Sequence, residues 1–108
     1  MLKMVFFSEQ AENDLDSILE GMLKWKKIKL TFEFVHSYVN DIIDICNTLD
    51  TKSYHTNTKF TSHKKHGSKI FMYRRNPRTQ IYIIYNIDQH KNIYINKIMS
   101  NHITVDKI

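Results

Sequence analysis

Three arginines within five positions, Arg74, Arg75 and Arg78, carry the densest chemical signal in this chain. A guanidinium offers a planar fork of donors that grips phosphate oxygens bidentately, where a lysine supplies only a point charge. The arginines close a segment, Thr51 to Gln80, that has no Asp or Glu and eight basic residues: Lys52, Lys59, Lys64, Lys65, Lys69, Arg74, Arg75 and Arg78. The first fifty residues run the other way, with five Lys against nine Asp or Glu, and the last twenty-eight are near neutral. The net charge of +5 therefore sits in one central stretch. Such segregation builds a local positive potential that attracts polyanions and speeds their encounter. Lys-rich loops also serve plain solubility, yet the arginine cluster points to a phosphate-bearing partner.

Other side chains could join that chemistry. Lys97 is a charge inside an otherwise apolar stretch, Asn92 to Met99. His63 and His66 flank Lys64 and Lys65 as HKKH, with no cysteine or carboxylate at ligand spacing, so neither metal nor cofactor is expected there. That cluster reads as a solvated or phosphate-contacting loop. Tyr73, Tyr82, Tyr85 and Tyr94 could stack on unpaired bases, although strand tyrosines more often pack across the sheet. Tyr73 adjoins the arginines. His102 lies near the C-terminus, and an imidazole titrating near pH 6.5 suits acid or base duty. Cys46, the single cysteine, falls on an apolar helical stripe and is expected to be a buried, inert thiol. With no disulfide framework, no signal-peptide core and no apolar run of membrane length, the chain reads as soluble and cytoplasmic.

The elements that must position these groups are legible by period. At 108 residues the chain is one small domain, able to bury roughly 65% of its unfolded surface. Leu2 to Phe7 reads as a strand, and Ser8 as the N-cap of a helix that Glu9 and Glu12 support electrostatically. Ala11, Leu15, Ile18, Leu19, Met22 and Leu23 form its apolar stripe, with Glu12, Asp14, Asp16 and Glu20 in the other positions. A basic linker, Lys24 to Lys29, contains Trp25. A second helix starts near Thr31, with Val35, Tyr38, Val39, Ile42, Ile43, Cys46 and Leu49 on one stripe. The polar stretch 51–69 is expected to be loop with little regular structure. Three strands follow: Ile70 to Arg75, Gln80 to Ile87 and Asn92 to Met99, joined through Asn76-Pro77-Arg78-Thr79 and Asp88 to Lys91. Simple alternation sets Ile70, Met72 and Arg74 against Phe71, Tyr73 and Arg75, and Ile93, Ile95, Lys97 and Met99 against Tyr94, Asn96 and Ile98. Which arginine shares a face with Lys97 is left open. The last nine residues read as a short tail. The fold expected is α+β: a helical hairpin on one face of a small twisted antiparallel sheet, which the N-terminal strand joins.

The opening Val5 to Leu19 (VFFSEQAENDLDSIL) resembles the strand-then-helix start of the RelE/ParE superfamily of toxins from type II toxin–antitoxin pairs. Tyr73 to Asp88 (YRRNPRTQIYIIYNID) is similar to that superfamily's arginine-bearing hairpin, and Asn92 to His102 (NIYINKIMSNH) to its closing strand and C-terminal histidine. The element order is also the superfamily's, β-α-α-β-β-β. The resemblance implies one of two activities. RelE- and YoeB-like members are ribosome-dependent ribonucleases that cleave mRNA, whereas ParE-like members bind and poison DNA gyrase without nuclease chemistry. Both are neutralised by a cognate antitoxin. Under the first reading the resemblance implies catalytic roles for Arg74, Arg75 and His102. Lys97 joins them as a charge that could point into the site. Lys64, Lys65, Lys69, Tyr73 and Arg78 become the candidates for RNA contact, and no membrane partner is expected. The chain departs from YoeB-like members at Ile103, where they carry an aromatic, and in having no glutamate before the arginine strand. Cleavage would then depend on Lys and Arg, as in RelE-like members.

Overall fold

In the computed structural model, residues 4–23, 32–52, 54–76 and 79–100 are described. The expected linker Lys24 to Lys29, the helix start at Thr31, the turn residues Pro77 and Arg78, and the tail with His102 lie outside them. The architecture is α+β: one strand, two helices, then the remainder of a five-stranded, mostly antiparallel sheet.

Strand β1 is Val5–Phe7, and helix α1 runs Glu9–Leu23. Ser8 caps α1 as expected, its Oγ accepting from the Ala11 amide at 3.0 Å. Helix α2 is Phe32–Thr48, followed by a 3-10 turn at Leu49–Thr51. Ala11, Leu15 and Ile18 from α1 and Val35, Tyr38, Ile42 and Cys46 from α2 are buried, so both stripes find the common apolar surface they need. That surface is one face of the sheet, carrying Ile81, Ile83, Tyr85, Ile93, Ile95 and Ile98.

The stretch 51–69 is more regular than its composition suggests. Strand β2, Thr56–Asn57, pairs with the start of strand β3, Lys69–Asn76, and a single helical turn α3, Thr61–Lys64, lies between them. Elements this short carry too few residues for a period to show. Strands β4, Thr79–Ile87, and β5, Ile93–Ser100, complete the meander. Asn76 pairs with Thr79 at the first connection. At the second, Asp88 Oδ1 accepts from the amides of His90 and Asn92 at 2.8 and 2.9 Å, with Lys91 in the left-handed region at φ 68°. The sheet order is β1-β5-β4-β3-β2, and β1 joins the edge of β5 in parallel, Phe6 opposite Tyr94.

Candidate nucleic-acid interface

Residues paired across a ladder share a sheet face, so the register sorts the charged side chains. Arg74 pairs with Gln80, Met72 with Tyr82 and Ile70 with Ile84, which puts them on the face away from the helices. In β5 simple alternation fails. The register shifts between Ile84 and Tyr85: Tyr85 pairs with Ile95 but Ile84 with Lys97, leaving Asn96 as the extra residue of a β-bulge. The bulge returns Ile98 to the core beside Ile93 and Ile95, and sets Lys97 on the face of Arg74. Arg75 is the extra residue at a second shift, between Arg74 and Asn76, and its side chain lies outside the described residues.

Lys97 does not end in solvent. Its Nζ lies 3.0 Å from Asp14 Oδ1, with the Lys97 side chain 21% exposed. Asp14 Oδ1 also accepts from Gln10 Nε2 at 2.8 Å, and Oδ2 from the Ile98 amide at 2.9 Å. Strand β1 is too short to pair beyond Ile95, so a helix carboxylate takes the Ile98 amide that edge would leave open. Asp14 is thus buried, not among the solvent-facing acids of α1. Its spacing carried the signal: it stands three residues after Ala11 and four before Ile18, within the apolar stripe.

The segment around α3 folds over the same face. Gly67 packs so tightly that a Cβ there would sit 2.8 Å from the Tyr85 carbonyl oxygen and 3.1 Å from Ile84 Cγ2, which explains why Ile84 is buried despite facing away from the helices. His63 tilts against Tyr82 at 6.1 Å between ring centroids, and the Tyr82 hydroxyl donates to Gln80 Oε1 at 2.7 Å. His66 is held below its ordinary pKa of 6.5, first by desolvation and then by the positive charges of Lys97 and Lys65; Asp14 opposes them. Lys64, Lys65 and His66 rim an open cleft of about 520 Å³, with Asn57, Ser68 and Asn86 supplying neutral polar groups.

Arg74, Lys97, Lys64 and Lys65 are thereby gathered on or beside one surface, together with His63, His66 and Tyr82. Tyr73 and Lys69 belong to the other face. Tyr73 pairs with Ile81 and packs on the core, and Lys69 pairs with Tyr85 and donates to Asn57 Oδ1. Beyond the end of α2 on that side, Lys52 lies over the Phe71 ring at 4.5 Å, beside a cleft of about 470 Å³. There His55 Nδ1 meets the Tyr85 hydroxyl at 2.7 Å. Arg78 and His102 lie outside the described residues. The sequence marked His63 and His66 only as loop histidines; their approach to Tyr82 and Lys97 depends on contacts between segments far apart in the chain.

Chemically, the surface offers a guanidinium and ammonium groups for phosphate, aromatic rings for bases, and an imidazole biased toward its neutral, proton-accepting form. Among the described residues no three His, Cys, Asp or Glu side chains are grouped to hold a metal ion, and no helix is long and apolar enough to cross a membrane. Comparison with protein-family models, curated proteins and solved structures finds no match to this chain.

Proposed function

We propose that this chain is the toxin of a type II toxin–antitoxin pair, of the RelE/ParE kind, and that it inhibits translation as a ribosome-dependent, metal-independent mRNA endoribonuclease in the cytoplasm. The observation that carries the reading is the shared face of Arg74 and Lys97, brought about by the bulge at Asn96, with the basic α3 segment folded over it. Cleavage without a metal needs a base for the 2′-hydroxyl proton, cations for the charge growing on phosphorus, and an acid for the departing 5′-oxygen. Arg74 is the phosphate clamp, assisted by Arg75 and Arg78, and Lys97 adds positive charge anchored by Asp14. His102 supplies the proton transfer in this scheme, by resemblance to the superfamily.

A second reading is favoured by one feature: Lys97 meets a carboxylate of its own chain, which spends part of its charge internally. A ParE-like inhibitor that binds DNA gyrase needs no ammonium aimed at a scissile phosphate. Primer extension on a translated message, with and without ribosomes, separates the two. Cuts that require ribosomes support the nuclease. Intact transcripts with altered plasmid supercoiling support the gyrase inhibitor.

A further inference from the structure

The segment Asn57 to Ser68 has no acidic residue and carries Lys59, His63, Lys64, Lys65 and His66. It is fastened before any ligand arrives. The Thr58 amide donates to the Ser68 carbonyl and the buried Thr58 hydroxyl to the Gly67 carbonyl, both at 3.0 Å. Ser68 donates through its amide and its hydroxyl to Asn86 Oδ1 on β4. Within the arm, the amides of His63 and Lys64 both donate to the Phe60 carbonyl at 2.9 Å. An arm ordered in advance loses less entropy on binding.

Phe60, the residue just before α3, has 66% of its surface exposed. Its ring meets His63 edge to face at 5.5 Å and 88°, and His63 in turn leans on Tyr82, so the phenyl group is supported from beneath while much of it stays in water. Exposed apolar area of this size is stabilised when a partner covers it. Lys64 and Lys65 follow within five residues at the rim of the 520 Å³ cleft, whose lining contains no carboxylate. A π-face beside clustered cations is the composition that holds single-stranded nucleic acid: the base stacks and the phosphate is neutralised. In a duplex the bases are already stacked on one another.

We infer that this arm is a single-strand RNA clamp, in which Phe60 stacks an unpaired base and Lys64 and Lys65 hold the neighbouring phosphate at the cleft. The choice of RNA rests on the function proposed above; the stacking geometry does not. The test is fluorescence anisotropy of the full chain, without ribosomes, against a labelled oligouridine and a hairpin duplex of equal length, at several salt concentrations. Phe60→Ala is expected to weaken single-strand binding by about 5- to 150-fold, with the salt slope unchanged. Phe60→Trp should restore binding. Replacing Lys64 and Lys65 together by Ala should lower the log–log salt slope by about 1.4. The inference is overturned if Phe60→Ala, folded by circular dichroism, binds as tightly as the wild type, or if the duplex binds as well as the single strand. Binding that depends on Phe60 without cleavage of translated messages would keep the clamp and remove the nuclease. Ribosome-dependent cleavage that Phe60→Ala leaves intact, with unchanged oligouridine binding, would do the reverse.

Discussion

Asp14 is the residue on which the β5 edge and Lys97 both depend. Replacing it with Ala orphans the Ile98 amide and leaves Lys97 unpaired, an expected loss of about 2 kcal/mol in urea denaturation. Asp14→Asn should cost less, because an amide oxygen can still accept from Ile98. Lys97→Met leaves the buried Asp14 carboxylate with two neutral donors and no counter-charge, so its cost should be about 1–3 kcal/mol. Arg74 is exposed, and Arg74→Ala should change stability by no more than about 0.5 kcal/mol. Under the proposed function Arg74→Ala and Lys97→Met nonetheless relieve growth arrest on induction. A folded Arg74→Ala protein that arrests growth as strongly as the wild type would remove Arg74 from the site.

Among the elements, α1 and the α3 arm make the most specific demands. Ser8 accepts from the Ala11 amide and also donates to the Asn96 carbonyl at 3.3 Å, joining the start of α1 to the bulge in β5. Ser8→Ala is expected to lower stability by about 1 kcal/mol, read as a shift in the urea midpoint with unchanged slope. Gly67 is the tighter constraint. A methyl group there meets backbone, not the far end of a flexible side chain, so Gly67→Ala must displace the arm from Tyr85. A loss of about 1–3 kcal/mol is expected, together with weaker single-strand RNA binding. Unchanged stability would mean that the arm does not press on β4 as described.

For the molecule as a whole, two half-buried histidines and two buried groups bound a pH window of stability. His55, like His66, is held below its ordinary 6.5, by desolvation first; a hydrogen bond to the Lys52 backbone works against this, and Lys69, Lys52 and Lys91 reinforce it. A depressed imidazole stays neutral in the folded state, so its contribution is complete above pH 6.5 and is lost as pH falls through the lower folded value. Burial pushes Tyr85 from 10.0 to about 12 and Cys46 from 9.0 to about 12. Those raised values act in the opposite direction: their contribution is complete below the unfolded values and disappears as pH rises toward 12. The urea midpoint should therefore be highest between about pH 7 and 9 and fall on both sides. His55→Phe should flatten the acid limb by removing one of the two histidines, and an unaltered limb would show that His55 does not titrate on unfolding.

Local spacing was enough to determine the α+β class, the Ser8 cap, both helical stripes, the burial of Cys46 and the three strands of the meander, because period and capping act over a few neighbouring residues. Which charges meet was a different matter. One extra residue at Asn96 inverts the facing of everything after it in β5, and strict alternation cannot announce a bulge. Asp14 takes its partner from eighty-three positions away, and His63 and His66 meet Tyr82 and Lys97 in a segment whose Gly67 packs against β4. Those encounters are set by the packing of distant segments, so only the tertiary structure could decide them.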